Sequence, residues 1–444
     1  MSRTMQRREF LHVSAAGGAM LGAAVATGVR AQPAPEAPPA GAQTTVREPA
    51  HDLPVSFSCD VLVVGGGIAG VAAAVAAARN GAATCLIERE QGLGGLATLG
   101  NVVVYLPLCD GLGNQVIAGL GEELLKLSVH DGFNPVPPCW LPGGDPEQRR
   151  KTRYRVTFNP ASYILDLEEL VVRSRVRLLY DTRFCDVLRD GDRIVAVLVE
   201  NKSGRSAIRV RTVVDASGDA DVCARAGEKT VSLRTNVAAG WFYTHDRQQV
   251  RLVTNSEEFP RDPRQAPKGV RGFAGDDAEE VTAQILATRE MIREKLAKLR
   301  EAAQGKPVFA AVLPLVAGFR MTRRLEGRVV LLEEHNRRWF DDSLGLTGDW
   351  RSAGPVYCLP LGCLAGVAND NLATAGRCIS ADGSAWDVTR VIPTCAVTGE
   401  AAGTAAALAA RTTDGRLSRL DVSTLQEHLR RQGMLIDRRL VAGG

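Results

Sequence analysis

The chain of 444 residues has no CxxC pair, although it holds ten cysteines. They stand singly; Cys358 with Cys363 is the closest spacing, and Cys378 and Cys395 stand 17 apart. Neither spacing suits a zinc site or a ferredoxin-type iron–sulfur cluster, so no metal is expected. The thiols read as core residues, with one disulfide as the other reading. An excess of one charge is also missing: 54 Lys and Arg stand against 50 Asp and Glu, for a net charge of +4. Basic residues are scattered among acids instead of forming a run, and nothing in that balance asks for nucleic acid as a partner. No internal repeat is visible.

Long apolar runs are scarce as well. The charge-free stretch from Val13 to Val29 is short for a membrane span and is diluted by Gly17, Gly18, Gly22 and Gly28. Before it stands Arg7-Arg8-Glu9-Phe10-Leu11, a twin-arginine export motif, and Val29-Arg30-Ala31 ends in the small residue that a signal peptidase needs. Residues 1–31 are therefore expected to be a signal peptide read by the twin-arginine translocase, with a retained anchor as the alternative. The mature form is expected to lack a stable membrane span and to be periplasmic or otherwise exported. Those residues carry four arginines and one glutamate, which leaves the rest of the chain close to +1. Residues 32–54, rich in Pro and Ala, read as a linker. The body beyond them is long enough for two lobes.

What the chain does have begins at Asp60. The apolar run Val61-Leu62-Val63-Val64 opens into Gly65-Gly66-Gly67-Ile68-Ala69-Gly70, then a small-residue helix, the stop signal Asn80-Gly81, and a second apolar run that ends in Glu88. This is the sequence form of a βαβ dinucleotide-binding unit. Gly65 allows the tight turn, Gly67 admits a pyrophosphate to the backbone, and Gly70 lets the helix lie close to the sheet. Ile68 and Ala69 sit at the helix N-terminus, whose free N–H groups favour an anion. Glu88 comes 18 residues after Gly70, where an acid accepts from an unphosphorylated ribose. FAD or NAD is thereby favoured over NADP.

Further glycine-rich turns recur along the chain. Gly92 to Thr98 forms a second loop able to cradle a diphosphate. Helix signals run from Ser162 to Arg173, a strand from Val176 to Tyr180, and a hairpin from Phe184 to Val199 that breaks at Arg189-Asp190-Gly191-Asp192. Its partner strand opens into Asp215-Ala216-Ser217-Gly218-Asp219. Residues 226–369 change character: strand-like pieces at Val308 to Leu315 and Arg328 to Leu332 flank a charged helix from Ala278 to about Ala303. They read as an inserted substrate lobe of α+β type between a first FAD-domain part, 55–225, and a return segment, 370–444. That return segment carries Gly376-Arg377 and an alanine-rich helix in which Gly399 and Gly403 share a face, for close packing on sheet or cofactor. Only the longer cofactor, FAD, has use for so distant a segment.

Together these pieces resemble FAD-dependent oxidoreductases of the glutathione-reductase-like fold, the group that includes heterodisulfide reductase A-like flavoproteins. The resemblance runs from Cys59 to about Gly433 and implies a Rossmann-like α/β FAD-binding domain. It implies that Gly65, Gly67 and Gly70 hold the diphosphate, with Ile68 and Ala69, and that Glu88 and Arg89 lie at the adenosine ribose. Gly94, Gly95 and Thr98 would follow the ribityl side, and Ala216, Ser217, Gly218 and Asp219 the adenine end. Gly376 and Arg377 would touch the diphosphate or ribityl chain. The helix near Pro393 and Thr394, with Gly399 and Ala402, would aim its N-terminus at the flavin. The cluster-binding cysteines of heterodisulfide reductase A are missing.

Candidates for chemistry are fewer. Arg390 stands ready for an anionic substrate group or a developing negative charge. Arg320 and Arg324, four apart, are expected to share a helical face; the family segment Arg-Glu-Ser-Arg-Arg has Met321 here in place of its acid. No histidine occurs between Ala381 and Thr389, so a proton must come from Asp382, Asp387, Tyr357, the substrate or water, with Trp386 as an aromatic wall. Cys378, with Cys395, offers a thiol relay as a minor reading. The function expected is an exported FAD enzyme that transfers a hydride to or from a small organic molecule, its electron acceptor unknown. An electron-shuttling flavoprotein is the alternative.

Overall fold

The computed structural model describes residues 46–442, apart from 133 and 260–263. The expected signal peptide and the linker up to residue 45 lie outside the described residues. Residues 46–54 carry neither helix nor strand, and the described residues from 52 onward form one compact unit.

Strand β1 (Val55–Val64) runs into helix α1 (Ile68–Arg79) and returns as β2 (Thr84–Ile87). Helices α2 (Leu120–Ser128) and α3 (Pro160–Arg173) come next. Asn159 starts α3, its side chain accepting from Ala161 N at 3.1 Å, and Pro160 fills the first position, where its missing N–H costs nothing. Strand β3 (Arg177–Leu179) leads to the hairpin of β4 (Arg183–Asp190) and β5 (Arg193–Asn201), then β6 (Gly204–Asp215). Beyond an intervening segment with the long helix α4 (Ala278–Ala302), the chain comes back through β7 (Leu372–Thr374), α5 (Gly383–Thr389) and α6 (Ile392–Thr412).

Five strands lie parallel in the order β3-β2-β1-β6-β7, while β5 and β4 add antiparallel beside the first half of β6. Val61, Leu62 and Val63 are 0% exposed, as a parallel sheet covered on both faces requires. Strand register determines where the loops emerge. Val64 lies opposite both Ile87 and Asp215, and Asp215 opposite Thr374. Four strands thus end level, and the loops leaving them emerge along one edge, where open α/β sheets bind ligands.

Helix α6 packs directly on α1. A Cβ on Gly399 or Gly403 would collide with the carbonyls of Ala69 and Ala73, so these two glycines serve helix-on-helix packing. Two strand expectations change. Residues 328–332 are not a strand: their backbone bonds to a turn instead, Val329 N to Gly362 O at 3.0 Å and Leu331 N to Ser380 O at 2.9 Å. The Val308–Leu315 piece shrinks to Phe309–Val312 because Pro314 cannot extend a ladder. Phe309–Val312, Phe242–His245 and Val250–Val253 make a small antiparallel sheet. Among the described residues no single helix is long and apolar enough to cross a membrane.

Glu400 of α6 is almost fully buried, and its Oε2 accepts from Leu120 N at 2.7 Å, capping α2 where Gly119 has no side chain to offer. Burial pushes its carboxyl up from 4.5 to about 8. The folded protein therefore keeps a proton that the unfolded chain releases, and stability falls as pH rises from about 4.5 to about 8. Glu400→Gln keeps the acceptor and removes the charge. Urea unfolding should show the variant more stable than wild type at pH 8, by on the order of 2–4 kcal/mol, with the gap nearly closed at about pH 5. Parallel pH profiles for the two proteins would refute this.

Candidate functional site

The loop after β1 fixes the site's geometry. Gly65 adopts φ +102°, and a Cβ there would lie 2.5 Å from Ala216 O, so the turn needs glycine on two counts. Gly70 has its would-be Cβ inside the Gly65 carbonyl, which locks α1 onto the turn. Gly67 differs: its φ is −64° and a Cβ would meet nothing within 4 Å, because it would point into open space. That space is a cavity of about 880 Å³. Helix α1 opens onto it with no side-chain cap and no acid in its first turn. Gly94 N donates to Gly66 O at 2.8 Å, which sets the second glycine loop against the first.

Charges around the cavity are largely matched. Glu88, nearly buried, accepts from Gly66 N at 2.5 Å and Glu90 N at 2.8 Å. Asp215 is fully buried and holds the next loop by accepting from Ser217 N, Ser217 Oγ and Cys223 N at 3.1, 2.6 and 3.0 Å. Arg377 pairs with Asp219 at 2.7 Å and donates to Gly218 O and Phe319 O at 2.8 and 3.1 Å. Asp221 is pushed up to about 6 by burial and then by Asp219 and Asp215, against Arg323 at 2.6 Å. The outer wall comes from the intervening segment: Asp276 just before α4, Val281 and Ile285 within it, Leu315 to Ala317 and Phe319.

A second cavity of about 360 Å³ adjoins, lined by Thr235, Asn236, Val237, Phe259, Gly318, Arg320, Met321, Trp350, Arg351 and Asp387. Arg390 lines the first cavity and is ion-paired with Asp387 of the second, so the pair forms their common wall. Arg351 grips Asp349 at 2.8 Å and reaches Asp387 at 3.3 Å. Arg320 is pushed down to about 9, by burial first and by the neighbouring Arg390 charge second.

The larger cavity fits an elongated nucleotide. The cradle at Gly67 is one a Cβ would fill, the helix end offers N–H groups to a diphosphate, Glu88 stands at the ribose position, and the volume falls in the range of small-molecule sites, roughly 300–1,000 Å³. The family model described as FAD dependent oxidoreductase matches residues 60–238 and 228–429. The chain belongs to the FAD-dependent oxidoreductase family. Its cofactor is FAD. No curated protein matches the chain. Among solved structures it is similar to a geranylgeranyl bacteriochlorophyll reductase-like protein from Thermoplasma acidophilum, at 14% identity and TM-score 0.42 over 85% of each chain. It is also similar to p-nitrophenol 4-monooxygenase from Pseudomonas putida, at 12% and 0.44 over 84% of this chain and 83% of that one. A third is 3-ketosteroid-Δ4-(5α)-dehydrogenase from Rhodococcus jostii, at 16% and 0.35 over 80% and 97%.

In this flavoprotein Gly65, Gly67, Ile68, Ala69, Glu88, Arg89, Gly94, Gly95, Ala216, Ser217, Gly218, Asp219, Gly376, Arg377 and Arg390 all line the large cavity. Others named from the sequence do not. Gly70 packs on Gly65, and Gly399 and Ala402 are buried within the helix pair. Thr98 turns inward, its Oγ1 donating to Leu93 O at 2.5 Å. Pro393 and Thr394 face away from the cavity, Thr394 sharing a hydrogen bond with Thr347 at 2.7 Å; Ile392 and Cys395 take the cavity side of α6. Arg377 reaches the cavity, but its guanidinium already serves three protein acceptors.

The chemistry candidates separate as well. Arg324 lies in the strand Arg323–Leu325, so it shares no helical face with Arg320; it is buried and pairs with Asp382 at 3.4 Å. Cys378 is 0% exposed, bonds to Ala375 O at 3.4 Å, and has its thiol raised far above the ordinary range by burial. Neither lines either of these two cavities. All ten cysteines are free. Asp382 caps α5, Trp386 is buried with its indole N–H on Arg377 O at 2.6 Å, and Tyr357 is buried; Trp350 is the aromatic wall instead. His335 is buried and accepts from Leu332 N at 3.1 Å. Sequence reasoning does not reach residues 275–285 and 315–319, since nothing local in an amphipathic helix or an apolar loop marks the face that meets a cavity.

Gly67→Ala tests the cradle. Its backbone suits any residue, so the flavin-free variant should melt with the wild type, while FAD titration should show affinity lower by about tenfold or more. Equal affinity would mean the diphosphate lies elsewhere.

Proposed function

We propose that this protein is an exported enzyme that moves a hydride between a small organic molecule bearing an anionic group and FAD. The observation that carries the reading is the shared wall: the Arg390–Asp387 pair closes the FAD cavity on one side and a smaller, cationic cavity on the other. FAD, when bound, supplies a two-electron acceptor or donor.

The chain's own groups supply the rest. Helix α6 turns its N-terminal residues Ile392 and Cys395 to the cavity, and its dipole favours negative charge there. Arg390 adds a fixed cation beside it. Asp387, gripped by Arg390 and Arg351, is the carboxylate that both lines the smaller cavity and reaches the wall, and so the group to take a proton from an alcohol or amine. A thiol relay finds no support from Cys378, which is buried and strongly disfavoured as a thiolate. Export is supported by Arg7-Arg8 and the charge-free run behind it. The twin-arginine route carries folded proteins, so FAD is loaded before transit.

Anaerobic mixing of the yellow holoprotein with a panel of small alcohols, amines and organic acids is the test. Bleaching of the flavin band by at least one member is expected. Reduction by dithionite or a protein donor alone, with every metabolite silent, would make the protein an electron shuttle and overturn the reading.

A further inference from the structure

Among the described residues, the charged groups that line the smaller cavity or pair with its lining are three arginines and two aspartates, one more positive than negative. Arg351 is neutralised by Asp349, with two hydrogen bonds at 2.9 and 2.8 Å, and Arg390 by Asp387. Arg320 forms no ion pair among the described residues, and Asp387, the carboxylate whose charge it feels, is already held by Arg390 and Arg351. A desolvated guanidinium without a counter-charge is costly, and a structure that retains one leaves a place for an anion from outside.

The arginine is also held for such a task. Asn236, nearly buried, accepts from Arg320 N at 2.8 Å and from Met321 N at 3.2 Å, and donates to Met321 O at 3.0 Å. This pins the backbone from which the side chain leaves. The Arg320 guanidinium carbon stands over the Phe259 ring, 2.9 Å from its centroid, so the aromatic ring helps to hold the fork in place. Opposite polar requirements are few: Val237, Met321, Phe259 and Trp350 supply apolar and flat surface, and the Trp350 indole is fixed by donating to Asp387 O at 3.2 Å. The volume, about 360 Å³, stands at the small end of ligand sites.

Resting on the hydride-transfer reading above, we propose that this cavity is the substrate site and takes an organic monoanion with a flat, apolar body, its carboxylate on the fork of Arg320. Arg320 is then the residue that sets substrate charge, and Arg390 and Asp387 stand between the bound anion and the FAD cavity. One bidentate charge-assisted pair anchors the ligand, and the single surplus charge excludes dianions and neutral isosteres.

Benzoate, with benzamide as its uncharged isostere, is the probe. Binding to the holoprotein is read by quenching of tryptophan fluorescence and by perturbation of the flavin absorption band, neither of which needs turnover. Wild type should bind benzoate at least tenfold more tightly than benzamide. Arg320→Met should erase that preference, and Arg320→Lys, which keeps the charge but loses the fork, should restore part of it. Flavin content and melting temperature report whether each variant is folded; should Arg320→Met fail to fold, the lysine variant and the benzoate–benzamide ratio of the wild type decide. Equal binding of the two probes to wild type, or benzoate affinity untouched by either substitution, overturns the assignment. Arg320-dependent binding with no metabolite bleaching the flavin would sink the hydride reading and leave the anion site standing. Flavin bleaching with Arg320-independent binding would do the reverse.

Discussion

Contact between main chains with no side chain between them is the constraint on which this structure depends. Gly70 sits on the Gly65 carbonyl, and Gly399 and Gly403 sit on the carbonyls of Ala69 and Ala73. One methyl group at any of these places would force helices apart, and overpacking of that kind typically costs about 1–3 kcal/mol even when it is accommodated. The effect on function is larger than the energy. Because α6 lies against α1, its start at Ile392 comes to the same cavity as the start of α1 at Ile68, although 324 residues separate them. Two helix N-termini and four level strand ends then surround one space.

Electrostatics divides that space in two. In the large cavity the buried cations near the glycine loops are spent on protein: Arg377 on Asp219 and two carbonyls, Arg323 on Asp221. Its free donors are backbone N–H groups, suited to a diphosphate that needs close approach more than net charge. The small cavity has the opposite character, with side-chain cations and one charge left over. A cofactor site built from backbone and the proposed substrate site built from arginines can sit side by side without competing for the same ligand, with the Arg390–Asp387 pair between them.

Local signals make much of this legible. The strand–glycine–helix–strand order of residues 60–88, the hairpin at Gly191 and the helix from Ala278 each announce themselves within a dozen residues, and the structure contains all three. The features that escape such signals are set by distant partners. Nothing near Thr98 says that its hydroxyl turns to Leu93 O, and nothing near Arg377 says that Asp219 and Phe319 consume it. The pairing of Arg320 with Arg324 fails on backbone geometry: a four-residue spacing joins side chains on a helix, whereas Arg324 lies in a strand paired to Val231. Asn236, which orients Arg320, lies 84 residues from it. No window of sequence contains both.

The missing histidine shows how such distances reshape chemistry. Between Ala381 and Thr389 the chain forms the short helix α5, whose Trp386 goes inward to hold the Arg377 carbonyl and whose next residue, Asp387, consequently faces the cavities. Adjacent helical side chains point about 100° apart, so burying the indole dictates where the carboxylate emerges. Asp387 then finds Arg390 one turn on and Arg351 from across the cavity. Under the proposed reaction, that placement suits a substrate whose own hydroxyl proton becomes acidic as the hydride leaves, as that of an alcohol does.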